Sequence, residues 1–187
     1  MKIVIVGAGE VGRYVAKMLS NENHDITIMD ESEDRLQDLD TNYDIMSRVG
    51  SPTSITDLQM CGVRNCDLFI AVYPSESVNT TACIIASKLG ARKTVARIDN
   101  YEYLLPKNKE MLKNLGIDKL IYPEVLAATE IVQSLKRSWI REYRTFSNEA
   151  LVLVCVKIRE NAEIINKVFS TGFFNHSMYR IVAVKRH

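Results

Sequence analysis

Residues 2–6 open the chain with an apolar run rich in β-branched side chains, the pattern of a strand covered on both faces. Past a short glycine-bearing stretch, Val11, Val15, Met18 and Leu19 fall on one side of a helical repeat. Residues 25–29 give a second strand. Residues 31–41 read as a polar helix with Leu36 and Leu39 turned inward, and 45–49 as a third strand followed by a short helix over 55–60. Residues 68–72 are apolar throughout and make a fourth strand. The next helix runs through Ala82, Ile85, Ala86 and Leu89, with Ser75 or Ser77 to cap it and Gly90 to stop it. Residues 94–97 form a fifth strand, 101–115 a helical patch, and 119–122 a short sixth strand. Strand and helix alternating through short loops predict an α/β architecture: a doubly wound parallel sheet over residues 1–122.

Pro123 then stands at the first position of another helix. Val125, Ala128, Val132, Leu135 and Trp139 repeat along it in a heptad rhythm. The sheet already has its full set of helices, so 123–141 is expected to cross over and pack on a second subunit. From 142 onward the pattern changes: strands over 144–147 and 151–158, a short helix over 164–169, and a strand over 180–185 that runs into the last residues. A β–β–α–β piece of this size buries little core by itself. Residues 142–187 therefore read as a partial small α+β domain, cut before its end.

Composition narrows the class. With 47% apolar and 25% charged residues the chain is an ordinary globular one, and no apolar run approaches the length of a membrane span. Met1 enters a strand directly instead of a signal peptide, so a cytoplasmic setting without direct membrane insertion is expected. Cys61, Cys66, Cys83 and Cys155 lie in apolar surroundings with no CxxC spacing and no histidine nearby, which predicts reduced core thiols and no metal site. Net charge is +1, but unevenly spread: 1–135 holds 14 Lys and Arg against 19 Asp and Glu, and 136–187 holds 10 against 4. The basic residues of the second part form no run and lack interleaved aromatics, which argues against nucleic acid and for docking on another domain or subunit.

The candidate chemistry lies between the first two strands. Gly7-Ala8-Gly9-Glu10-Val11-Gly12 is a GxGxxG placed between a strand and a helix, and Asp30 ends the second strand 23 residues after Gly7. Together these are the dinucleotide-binding fingerprint of a Rossmann sheet. Gly7 permits the tight turn, Gly9 lets backbone approach a pyrophosphate, and Gly12 lets the helix close on the strand. The helix N-terminus offers N–H groups and the positive end of its dipole to phosphate. Asp30 accepts hydrogen bonds from the adenosine ribose hydroxyls and repels a 2′-phosphate, which favours NAD or NADH over the phosphorylated dinucleotides.

Catalytic groups do not accompany the fingerprint. His24 lies in the turn before the second strand, and His176 and His187 lie in the C-terminal piece. Tyr103 and Lys107 have the spacing of a dehydrogenase pair, yet Pro106 between them disrupts the helix such a pair needs. There is no Walker lysine, nucleophile elbow or metal-ligand cluster. The sequence therefore points to a nucleotide used as a signal, with a small NAD-dependent oxidoreductase and a ligand-free dimerisation module as the competing readings.

The motifs resemble those of the TrkA-type potassium-transport regulators, whose nucleotide-binding domain is called KTN or RCK-N. The resemblance rests on 1–12 with Asp30, on 66–72, on Glu76 and Asn79, on Val95-Ala96-Arg97-Ile98, on 115–118, and on Tyr122-Pro123-Glu124. Residues 142–187 look like the start of the associated regulatory domain (RCK-C). Two departures stand out: Gly50-Ser51-Pro52-Thr53 where many relatives have Gly-Asp-Ala-Thr, and Tyr73 where a threonine is usual. The resemblance implies a regulatory subunit, not an enzyme. It would be a homodimer or larger ring at the inner face of the cell membrane, bound to a potassium-translocating subunit and gated by NAD, NADH, ATP or ADP. It also implies residue roles. The backbone from Gly7 through Ala8, Gly9 and Glu10 to Val11 cradles pyrophosphate. Ser51, Tyr73 and Pro74 border the adenosine and the cleft. Arg97 supplies positive charge on the nicotinamide or phosphate side.

Overall fold

The structure is a computed structural model of the chain and describes residues 1–37, 39, 43–136, 140–146, 150–162, 164–166 and 181–185. The chain divides into two compact units, Met1–Glu130 and Ile131–His187. The first holds six parallel strands: β1 (Lys2–Val6), β2 (Asp25–Asp30), β3 (Ile45–Val49), β4 (Leu68–Ala71), β5 (Thr94–Arg97) and β6 (Lys119–Ile121). Their order is β3-β2-β1-β4-β5-β6. This is the doubly wound Rossmann arrangement expected, and its strand order reverses between β1 and β4.

Alternate side chains of the central strands feed two cores. Ile3, Ile5, Ile26 and Ile28 pack with Ala16 of α1 (Glu10–Ser20) and Leu36 of α2 (Glu33–Leu36) on one face. Val4, Val6, Met29, Phe69 and Ala71 pack on the other with Leu58 of α3 (Ile55–Met60), Ala82, Cys83 and Ala86 of α4 (Glu76–Leu89), and Leu112 of α5 (Pro106–Asn114). Large side chains such as Phe69, Ile3 and Leu58, each at most 1% exposed, contribute about 2 kcal/mol apiece. The six strands expected over residues 1–122 recur within a residue at their ends, whereas the strands expected over 144–147 and 151–158 are found at Ile140–Phe146 and Leu151–Val156.

Several local expectations need correction. On α1 the buried residues are Gly12 and Ala16, whereas Val11 and Met18 are 47% and 53% exposed. The closest approach of helix to sheet selects the smallest residues, which swings the larger ones outward. Of the helix expected over 31–41, a first helix covers Glu33–Leu36 and Leu39 is buried as expected, while residues 38 and 40–41 lie outside the described residues. Ser75 occupies the N-cap of α4 but its hydroxyl pairs with that of Ser77 at 2.9 Å and caps no backbone N–H. Residues 101–115 split into a 3-10 turn (Tyr101–Leu104) and α5, which Pro106 opens.

The helix opened by Pro123, α6 (Pro123–Lys136), forms but does not run to 141 as expected, because a strand begins at Ile140; residues 124–132 are all exposed. Leu135's side chain and Trp139 lie outside the described residues. In the second unit β7 (Ile140–Phe146) and β8 (Leu151–Val156) pair antiparallel. Cys155 on β8 is exposed, contrary to its expected place in a core. Ile164 to Asn166 form a turn where a helix was expected, and the remainder of that expectation, 167–169, lies outside the described residues. Residues 181–185 carry no regular structure where a strand was expected; His176 and His187 also lie outside the described residues.

Candidate functional site

A parallel sheet delivers the C-terminal ends of all its strands to one edge, and the sequence-predicted residues gather there. Gly7–Gly12 follow β1, Asp30 ends β2, Ser51 lies just beyond β3, Tyr73 and Pro74 follow β4, and Arg97 ends β5. His24 belongs to the opposite edge, before β2, with its Nε2 3.7 Å from a Glu22 carboxylate oxygen.

Backbone geometry constrains the glycine loop tightly at two positions and leaves it open at a third. Gly7 takes φ +103°, which L side chains rarely adopt, and its N–H donates to the Met29 carbonyl at 2.8 Å, tying the loop to β2. A Cβ on Gly12 would collide with the Gly7 carbonyl oxygen, so the third glycine is required for the helix to sit where it does. A Cβ on Gly9 would meet nothing within 4 Å, which leaves open space above the loop. Gly9 is also the N-cap of α1 and caps no N–H with a side chain. The first-turn N–H groups that a helix cannot pair internally thus face a cradle free of side-chain bulk, the chemistry a phosphate requires. The residues present fit the pyrophosphate of a nucleotide.

Asp30 is 1% exposed and fully engaged. Its Oδ2 accepts the Ala8 N–H at 2.7 Å and lies 3.6 Å from the Arg35 guanidinium, and its Oδ1 accepts the Ser32 N–H at 2.9 Å. Beside it, Tyr73 is 8% exposed and its phenol oxygen accepts the Glu31 N–H at 3.0 Å. Burial pushes that phenol up to about 12, against the opposing effect of the Glu31 N–H, so it stays neutral at any physiological pH. Ser51 is held through its N–H, which donates to Asp57 Oδ2 at 2.9 Å, while its hydroxyl lies 3.4 Å from that of Thr53. Pro74 is exposed, and the Arg97 carbonyl accepts a bond from Asn79.

Two residues quoted only as part of a resemblance prove to be structural organisers. Asn79, 1% exposed, accepts the Tyr73 N–H at 2.7 Å and donates to the Tyr73 and Arg97 carbonyls, both at 2.9 Å. Glu76 accepts the N–H groups of Asp99 and Asn100 at 2.8 and 2.7 Å, fixing the turn after β5. The sequence signal for Asn79 was a polar residue one turn into the buried face of an apolar helix.

A groove of about 510 Å³ adjoins the loop at Gly9. Ala8, Gly9 and Glu10, then Arg13, Tyr14 and Lys17 of α1, and Asp34 and Arg35 of α2 line it. It shares the loop with the predicted site but includes none of Ser51, Tyr73, Pro74 or Arg97. Among the described residues no cluster of three or more His, Cys, Asp or Glu could hold a metal, and no helix is long and apolar enough to cross a membrane.

The Trk system potassium uptake protein TrkA of Haemophilus influenzae is 34% identical over 192 residues, which take in 100% of this chain and 42% of that protein. The chain thus spans less than half the length of that relative. Among solved structures, the TrkA-N domain of the inner membrane protein ybaL from Escherichia coli superposes with a TM-score of 0.62 at 16% identity, over 72% of this chain and 96% of that one. The GsuK channel bound to NAD gives a TM-score of 0.53 at 22% identity, over 64% of this chain and 21% of that one. Both structural likenesses show the fold. The model of the TrkA-N domain family matches residues 3–123, glycine loop and Asp30 included, and the chain belongs to that family.

Proposed function

We propose that this chain is the nucleotide-sensing part of a regulator of potassium uptake. The observation that carries this reading is the open cradle at Gly9, heading α1 beside Asp30 at the sheet's C-terminal edge, in a chain of the TrkA-N family. The name of the Haemophilus relative supports potassium uptake, and the NAD-bound GsuK channel supports a dinucleotide ligand. NAD or NADH is the favoured ligand; ATP and ADP share the adenosine and diphosphate that the site reads. The backbone of Gly7, Ala8, Gly9, Glu10 and Val11 holds phosphate, with Gly12 setting the helix against the loop. Asp30 takes the ribose, Ser51, Tyr73 and Pro74 border the adenosine, and Arg97 brings positive charge to the far phosphate or nicotinamide.

In this reading the nucleotide is a signal, not a reactant. It shifts the protein between conformations by binding one better than the other, a coupling of about 1–3 kcal/mol in such systems. Residues 1–122 are the sensor and 142–187 belong to a regulatory domain. Residues 123–141 supply the contact for a homodimer or ring, through a helix whose Val125, Leu126, Ile131 and Val132 are exposed. The assembly works at the inner face of the cell membrane on a potassium-translocating subunit.

Calorimetric titration with NADH, NAD⁺, ATP and ADP tests the sensor. Micromolar binding by at least one of them, with NADH absorbance constant over time, is the expected result. A folded chain that binds none of the four overturns it, and steady consumption of NADH in the presence of a small carbonyl compound would restore the oxidoreductase reading.

A further inference from the structure

Tyr73 occupies ground that the ligand needs. Its backbone lies two residues beyond the end of β4, and its phenol oxygen accepts the N–H of Glu31, the residue after β2. β1 lies between those two strands, so the side chain spans the crevice where strand order reverses. In doubly wound sheets that crevice receives the nucleotide, and the acid ending β2 receives its ribose. Here the ring passes close to Gly7, its Cδ2 3.0 Å from the position of a Gly7 Cβ, and the Asp30 side chain is only 2% exposed. The adenosine side of the site is thus filled by the protein itself, while the phosphate side at Gly9 is open.

The backbone of Tyr73 is held in place. Asn79 engages both its N–H and its carbonyl and is itself tied to Arg97, so the strand end stays put and side-chain rotation is the available way to clear the crevice. We propose that Tyr73 is a latch that competes with the adenosine of a nucleoside diphosphate: closed, it bridges β4 to Glu31, and ligand binds the form in which the ring has swung out and released the Glu31 N–H. This rests on the nucleotide-sensing reading and adds to it a determinant of affinity. The apparent affinity is the intrinsic one reduced by the fraction of molecules with the latch open.

The direction of a substitution separates a latch from a wall on which adenosine stacks. Tyr73→Phe keeps the ring but removes the acceptor for Glu31, so the closed form loses one hydrogen bond and ADP binds about fivefold more tightly. Tyr73→Thr removes the ring and tightens binding by more than about tenfold, the effect of a latch closed in most molecules. The experiment is calorimetric titration of ADP into the full chain as wild type, Tyr73→Phe and Tyr73→Thr, with thermal melts to establish folding. Tighter binding in the phenylalanine variant, whose volume preserves the core, supports the latch even if the threonine variant is unstable. Equal or weaker binding by a folded phenylalanine variant overturns the latch and leaves the nucleotide reading standing. No binding by any of the three proteins takes down both.

Discussion

The Ala8 N–H donates to Asp30 Oδ2 at 2.7 Å, so the acid expected to hold a ribose is also a strut between β2 and the glycine loop. Removing it should disturb the loop before any ligand arrives. Asp30→Ala leaves the Ala8 and Ser32 N–H groups without their acceptor and is expected to cost about 2–3 kcal/mol in urea unfolding. Asp30→Asn keeps one acceptor oxygen and should cost about 1 kcal/mol. Both variants should lose most ADP binding. Equal stability of the alanine variant and the wild type would refute the strut.

The second and third glycines of the loop separate folding from binding. A Cβ at Gly12 strikes the Gly7 carbonyl, whereas one at Gly9 meets nothing within 4 Å. Gly12→Ala should destabilise the chain by about 1–3 kcal/mol or more through overpacking. Gly9→Ala should change stability by less than about 1 kcal/mol, the scale of an N-cap exchange, and still abolish nucleotide binding. Thermal melts and ADP titration on the two variants read both effects.

Thiol reactivity should divide three to one. Burial pushes Cys61 and Cys66 to about 11 and Cys83 to about 12, so none forms thiolate near neutral pH, while Cys155 is exposed. A chromogenic disulfide reagent at pH 8 should release one equivalent rapidly from the native chain and four after denaturation. Replacing Cys155 with serine should remove the rapid equivalent.

Asp67 gives a pH dependence with a definite sign. Its carboxylate accepts the Lys2 N–H at 3.0 Å and bonds Arg92 at 3.1 Å, and these two partners, the first foremost, hold it below its ordinary 3.8. A depressed carboxylate stabilises the fold above the ordinary value and loses that contribution as pH falls through the folded one. The unfolding midpoint of the wild type should therefore fall more steeply below pH 3.8 than that of Asp67→Asn. Parallel profiles would show that the pair adds nothing.

The middle of the sheet was legible because β1, β2 and β4 are buried on both faces, which writes them as apolar runs, whereas the edge strands β3 and β6 are partly exposed. The glycine loop was legible for a related reason, since only glycine tolerates the φ of Gly7 and the approach at Gly12. The orientation of α1 was not, because periodicity weights large side chains and the helix presses its smallest against the sheet. Asp30 showed its position but not its internal partners, which depend on a loop 22 residues away. Tyr73 was visible as a bulky residue at the cleft, but its bond to Glu31 joins two strands that the chain does not connect directly.

Asn79 has a further consequence, for how freely this position can vary. One short amide serves one N–H and two carbonyls on two strands. Aspartate would set acceptors against both carbonyls, glutamine would overshoot by a methylene, and serine or alanine would leave buried groups without partners. No neighbouring change can compensate, because the groups served belong to the main chain. Of the twenty residue types, one meets the requirement, so a mutational scan of α4 should tolerate substitution on its exposed side and admit asparagine alone at 79.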